Sequence, residues 1–206
     1  MAGVRFQSAL VTGANRGIGL GFVQHLLAWP NPPEWVFATC RDPKGQRAQE
    51  LQKLASKHPN VVIVPLEVTD PASIKAAAAS VGERLKGLGL NLLINNAGIL
   101  KANKLDNETL KDMAEVYTTN TIAPLLVSQA ALNMLTRCQS MGYQEHGILC
   151  VAFHPGWVQT DMGVTVGHTP PVTVDASVGG MLKALSKLSE KDSGSFLDWE
   201  GNVVAW

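Results

Sequence analysis

Apolar and polar positions in this chain follow two alternating periods. Short apolar runs are separated by longer stretches in which apolar residues recur every three or four places. That alternation predicts strands and helices in turn, wound into a parallel sheet covered on both faces, rather than a sandwich or a bundle. Four strands are expected in the first half: Ser8 to Val11, Trp35 to Thr39, Val61 to Leu66 and Asn91 to Ile94. Between the first two, Gly17 to Trp29 carries Ile18, Phe22, Leu26 and Leu27 at helical spacing, and Pro30, Pro32 and Pro33 stop it. Lys44 to Lys57 and Pro71 to Leu85 follow the same logic. The second has Asp70 as its N-cap and a first-turn proline whose missing N–H would have had no partner anyway.

The second half is less regular. A strand over Ile148 to Phe153, a helix from Val174 to about Leu188, and a closing strand, Ser195 to Trp199, that turns around Gly201 into Val203 to Trp206 are expected. Between Asn120 and His154, a helix end, a strand, a second helix, a strand and their connections would need on the order of fifty residues. Residues 121–154 fall well short of that. From Glu108 to about Met141 the pattern is instead helical throughout, with Leu110, Met113, Val116, Tyr117, Leu125, Leu126, Ala130, Met134, Leu135 and Cys138 tracking one face. One long helix, kinked near Pro124, is expected where helix, strand and helix would otherwise lie.

Composition narrows the function classes. A hydrophobic fraction of 46% over 206 residues supports one core, and no linker-like run divides the chain, so 1–206 is expected to be a single domain. A net charge of zero removes the broad positive field that draws proteins to nucleic acid. No charged leader precedes an apolar run, and no run approaches eighteen apolar residues, so a cytoplasmic protein without a membrane span is expected. Cys40, Cys138 and Cys150 form no C-x-x-C pair and read as reduced thiols. His25, His58, His146, His154 and His168 fall at no metal-ligand spacing, so no metal is expected.

The chemistry concentrates at one turn. Thr12-Gly13-Ala14-Asn15-Arg16-Gly17-Ile18-Gly19 lies between a predicted strand and a predicted helix, the setting a phosphate-cradling glycine turn requires. Gly13 permits the tight turn, Gly17 lets backbone approach a pyrophosphate, and Gly19 allows close helix–sheet packing. A glycine-rich turn with no cofactor is the competing reading.

The spacing Thr-Gly-x-x-x-Gly-Ile-Gly resembles the short-chain dehydrogenase/reductase family, and Asn95-Asn96-Ala97-Gly98 at the end of the fourth strand resembles that family's second motif. Asn120, in Tyr-Thr-Thr-Asn-Thr, resembles its catalytic asparagine, and His154-Pro155-Gly156-Trp157-Val158-Gln159-Thr160 resembles its Pro-Gly loop. The likeness covers nearly the whole chain and is nearest the sniffer and C-factor branch of carbonyl-reductase-like proteins. It implies a Rossmann-like doubly wound α/β fold. It places the pyrophosphate over Gly13, Asn15, Arg16, Gly17, Ile18 and Gly19, and the ribose beside Asn95, Asn96, Ala97 and Gly98. Glu67 and Val68 would stand at the adenine, and Pro155, Gly156, Val158 and Thr160 at the nicotinamide.

Charge bears on which dinucleotide. An acid at the end of the second strand suits the 2′-hydroxyl of NAD, whereas a 2′-phosphate needs a cation. Arg41 stands there and Arg16 lies in the turn, which favours NADP(H), while Asp42 keeps NAD open.

The family's proton donor is a tyrosine acidified by a lysine four residues on, with a serine upstream. Tyr117 is followed at the fourth place by Thr121 and Tyr143 by Gly147, so neither heads that pattern. Ala130 to Thr136 resembles the segment after the family's lysine, which puts Gln129 at the lysine place and Leu125 at the tyrosine place. Pro124 to Gln129 equally resembles the end of the preceding helix. An in-frame deletion, as in a spliced isoform, would remove the fifth strand with the serine, tyrosine and lysine, fuse the flanking helices and leave Asn120 vestigial. The strand Ile148 to Phe153 could then move beside the fourth or leave its edge open, at a cost in stability. Three outcomes follow: an NADP(H)-binding protein impaired in catalysis that pairs with itself or with a full-length form, an active NADPH-dependent reductase of small carbonyl compounds, or a poorly folded product.

Overall fold

The computed structural model describes residues 6–101, 107–130, 147–164 and 169–204. The chain divides into two compact units, Arg5–Ala131 and, with the first four residues, Leu132–Trp206.

In the first unit the order is β1 (Ser8–Val11), α1 (Gly17–Leu27), β2 (Trp35–Cys40), α2 (Gln49–Lys57), β3 (Val61–Pro65), α3 (Pro71–Leu85), β4 (Leu92–Ile94), α4 (Leu110–Tyr117) and α5 (Ala123–Ala130). The strands form one parallel sheet in the order β3-β2-β1-β4. Its register sets Leu10 opposite Phe37 and Leu93, and Phe37 opposite Val62. These residues therefore share a face, where Leu10, Phe37 and Val64 meet Ile74, Ala77, Val81 and Leu85 of α3 and Ala123 and Val127 of α5. The alternate residues Ala9, Val11, Val36 and Ala38 are also buried, and α1 packs on β1 and β2 through Phe22, Val23 and Leu26. Strands buried on both faces explain the nearly continuous apolar runs in the sequence.

Local signals fix several boundaries. Asp70 accepts the Ala72 N–H at 3.0 Å, and Pro71 opens α3 as expected. The helix ends on Lys86 at φ 50°. The long helix is observed from Leu110 to Ala130, while its expected continuation to Met141 lies outside the described residues. Its irregularity is a π-helical turn over Thr118–Ile122, just before Pro124. Proline has no N–H for the Asn120 carbonyl and its ring crowds that carbonyl, so the ladder widens, and the Ala123 N–H reaches back to Thr118.

The second unit holds β5 (Ala152–His154), α6 (Asp161–Val164), α7 (Val174–Leu185) and β6 (Phe196–Asp198). β5 and β6 pair in parallel across α7, which buries Val178, Met181, Leu182 and Ala184. β5 is shorter than the predicted Ile148–Phe153, because the Cys150 N–H goes to Ser193 Oγ and its carbonyl to the Gly194 N–H. Among the described residues, β4 pairs with β1 in the first unit and β5 with β6 in the second. α7 stops at Leu185, short of Leu188, because the Lys187 and Leu188 N–H groups turn to the Ala184 and Leu185 carbonyls three residues back. Gly201 turns the chain at φ 90°, and Leu197 bridges Val203 as the closing hairpin requires.

Leu26 is fully buried, whereas Leu110 is 85% exposed. Leu26→Ala is expected to lower unfolding stability by about 2–5 kcal/mol, and Leu110→Ala to leave it within about 0.5 kcal/mol; urea denaturation of both variants checks this.

Candidate functional site

The carboxyl ends of four parallel strands lie along one edge of the first unit, and each delivers predicted site residues there. β1 leads into Gly13, Asn15, Arg16, Gly17, Ile18 and Gly19, β2 into Arg41, β3 into Glu67 and Val68, and β4 into Asn95, Asn96, Ala97 and Gly98.

A hydroxyl that sequence reasoning passed over holds two of these ends together. Thr12 Oγ1 accepts the N–H groups of Asn96 and Ala97, each at 3.0 Å, and donates to the Ile94 carbonyl at 3.4 Å. With two acceptances and one donation the hydroxyl is saturated. The Asn96 amide returns across the gap, donating to the carbonyls of Thr12 at 2.8 Å and Gly13 at 3.2 Å. On the other side, the Ala14 N–H donates to the Thr39 carbonyl at 2.8 Å, and Asn15 Nδ2 to the Arg47 carbonyl at 3.3 Å. Gly13 sits at φ 63° and Gly17 at φ 53°, the left-handed region where glycine carries no penalty. A Cβ on Gly19 would run into the Gly13 carbonyl and the Asn96 amide, so the helix start packs directly on the turn.

The first turn of α1 has neither a side-chain cap nor an acidic residue. By contrast, α3, α4 and α7 are capped by Asp70, Thr109 and Thr173. Backbone N–H groups and the positive end of the helix dipole at α1 suit an anion. Thr39 Oγ1, fully buried beneath this edge, has no hydrogen-bond partner.

Asn120 lies in the π-helical turn and clasps the loop after β4. Its Oδ1 accepts the Ile99 N–H at 2.9 Å and its Nδ2 donates to the Ile99 carbonyl at 2.8 Å. Asn95 Nδ2 donates to the buried Ser128 hydroxyl at 3.0 Å, which gives that serine a structural partner. Lys101 reaches Asp112 at 2.8 Å and Glu115 at 2.5 Å, tying the same loop to α4. These bonds push the Lys101 ammonium above the ordinary lysine range, and the Lys101 and Thr109 contacts hold Asp112 below the ordinary carboxylate range. Burial, with Asp42 nearby, raises the Cys40 thiol, which stays protonated and unreactive near neutrality.

The Pro-Gly loop belongs to the second unit. Pro155 gives its carbonyl to Ser177 Oγ at 2.6 Å, and the Gly156 N–H donates to His154 Nδ1 at 3.1 Å. Gly156 adopts φ 82° against the Trp199 ring. Val158 is buried and bridges Val172, while Thr160 Oγ1 accepts the Gly163 N–H at 3.3 Å and so starts α6. Leu125 is half-buried on α5, Tyr117 is exposed, and Tyr143 lies outside the described residues.

Comparison with known proteins agrees with this geometry. A family model described as short chain dehydrogenase matches residues 7–135. The chain is similar to an NADPH-bound carbonyl reductase from chicken fatty liver, at 67% identity and a TM-score of 0.93, covering 98% of this chain and 100% of that one. It is similar to the carbonyl reductase Sniffer of D. melanogaster, at 30% identity and a TM-score of 0.91, with the same coverage. An uncharacterised oxidoreductase of Schizosaccharomyces pombe is 29% identical over 248 residues, 94% of this chain and 96% of the relative. An alignment of 248 positions against 206 residues leaves more than forty positions of that relative without a counterpart here.

Thr12→Val strands two N–H groups and is expected to lower stability by about 2–4 kcal/mol. Thr39→Val removes an unpartnered hydroxyl and is expected to leave stability equal or raise it by about 1 kcal/mol; thermal unfolding of both variants separates the two outcomes.

Lys101→Met is expected to lower the thermal midpoint in neutral buffer. That deficit narrows as pH falls through the depressed Asp112 titration, where its carboxylate is lost. It narrows again as pH rises through the elevated Lys101 titration, where the ammonium is lost. Midpoints in acid, neutral and alkaline buffers check this.

Proposed function

Because this chain belongs to the short chain dehydrogenase family, we propose that it binds NADP(H) as a single dinucleotide-binding domain over 1–206 and is impaired in catalysis. The observation that carries the binding half is the glycine turn locked to the Asn95–Gly98 segment and opening onto the uncapped start of α1. That cradle fits a pyrophosphate: Gly13, Asn15, Arg16, Gly17, Ile18 and Gly19 hold it with backbone N–H groups and charge. Arg41 and Arg16 take the 2′-phosphate, Glu67 and Val68 border the adenine, and Asn95, Asn96, Ala97 and Gly98 border a ribose. Pro155, Gly156, Val158 and Thr160 serve the nicotinamide, which supplies or accepts a hydride when bound. The crystallised relative from chicken is NADPH-bound, which supports the same choice here.

The impairment rests on the proton. A carbonyl reduced by hydride needs an acid at its oxygen, and no tyrosine of this sequence has a lysine four residues on. Lys101 cannot stand in, because its ion pairs hold its proton more tightly than an ordinary lysine. The relative's unmatched positions support loss of an internal segment that carried the serine, tyrosine and lysine. Asn120 remains as the clasp on Ile99, without the donor it would serve. The ligand class is a small carbonyl compound, and the compartment is the cytoplasm. No helix among the described residues is long and apolar enough to cross a membrane. Leu110, Met113 and Tyr117 form an exposed apolar stripe on α4, which supports pairing with a second copy or a full-length form.

NADPH at about one hundred times its Kd is expected to stabilise the chain by about 2.7 kcal/mol, seen as a raised thermal midpoint. NADPH oxidation with ketones and quinones is expected to run about 100-fold or more below a reductase that keeps the tyrosine and lysine. An unmoved midpoint contradicts the binding half, and turnover at the intact enzyme's rate contradicts the impairment.

A further inference from the structure

We propose that the Arg41–Glu67 pair makes this cofactor edge tolerant of NAD(H) as well as NADP(H), with Glu67 the residue that limits selectivity for the 2′-phosphate. This rests on the cofactor-binding reading above and adds to it a second cofactor and the residue that admits it.

The pair is a product of strand register. Cys40 at the end of β2 lies opposite Pro65 at the end of β3, and the Leu66 N–H donates to the Cys40 carbonyl at 2.9 Å. Arg41 and Glu67 thus leave from adjacent strand ends at the edge that carries the glycine turn. Glu67 is anchored from both sides: Oε1 accepts the Thr69 N–H at 3.2 Å and the Thr69 hydroxyl at 3.0 Å, and its own N–H donates to Ser73 Oγ at 2.9 Å. The anchoring leaves Oε2 at 3.9 Å from Arg41 Nη1, with the arginine side chain 73% exposed and the glutamate 38%.

Asp42, the acid that adjoins Arg41 in sequence, is used differently. Its Oδ1 accepts the Lys44 N–H at 3.1 Å, and a Cβ on Gly45 would run into its Oδ2, so the carboxylate belongs to its own turn. Glu67 is therefore the acid that faces Arg41, although it lies 26 positions further along the chain.

Two charges at one subsite act in opposite senses on the two cofactors. A 2′-phosphate gains the guanidinium but must share it with a fixed carboxylate and stand beside that negative charge. A 2′-hydroxyl can donate to the carboxylate, as acidic residues allow in NAD sites, while the arginine keeps its partner. A largely exposed pair is screened, so the discrimination it removes is a small factor rather than orders of magnitude.

The test is calorimetric titration of the purified full chain and two variants with NADPH and with NADH. The parent is expected to bind both, with Kd values within about tenfold of each other. Glu67→Gln keeps an oxygen for Thr69 and removes the charge; it is expected to tighten NADPH about threefold and weaken NADH about threefold. Arg41→Met is expected to weaken NADPH at least about tenfold and to change NADH little. NADPH binding with no measurable NADH binding, or equal shifts for both cofactors in Glu67→Gln, overturns this inference alone. Binding of neither cofactor by the folded parent overturns it together with the cofactor-binding reading.

Discussion

The geometry of the cofactor edge depends on the hydroxyl of Thr12. Parallel strands end in N–H and carbonyl groups that the next loop must satisfy, and here two loops meet over one oxygen. By accepting from Asn96 and Ala97 while donating to Ile94, Thr12 fixes the exit of β4 to the exit of β1. The Asn96 amide completes the lock on the glycine turn from the opposite direction. The turn is then held open over the start of α1 with its N–H groups uncapped by side chains. Asn120 extends the same logic one loop further, because the π-helical turn that carries it sets its amide against both backbone groups of Ile99.

Much of this was legible in the sequence, for identifiable reasons. Strands buried on both faces leave apolar runs too dense to be loops, so β1 to β4 fall within a residue or so of expectation. α3 matches at both ends because Asp70 and Pro71 carry local, sequence-encoded signals. The glycine turn and Asn95–Gly98 are legible because backbone conformation and close approach demand particular residue types. What escaped was tertiary. Thr12 looks like any strand-end threonine until β4 is beside β1. The kink near Pro124 is visible, but a widened turn that carries Asn120 is not. Glu67 can be matched to an adenine contact by likeness, yet only strand register brings it to Arg41. The strand at Ile148 was overextended because Ser193 and Gly194 capture the Cys150 backbone from a distant segment.

Order along the chain explains how the proposed cofactor cradle and the proposed impairment can coexist. Every residue proposed for the pyrophosphate and ribose cradle comes from the first four strand ends, before Asn120. The core beneath it, from Leu10 and Phe37 to Val127, is likewise complete in that part of the chain. The proposed loss of an internal segment beyond Asn120 would therefore leave that geometry intact while removing the group that finishes a reduction. The second unit keeps its own strand, helix and strand, with Ser177 and His154 holding the Pro-Gly loop.

The most direct measurement is a fluorescence titration of NADPH into the purified 206-residue chain. Saturable binding at one nucleotide per chain is the predicted result. A chain with native far-ultraviolet circular dichroism that shows no saturation would contradict the central claim that the first four strand ends of this chain suffice to hold the cofactor.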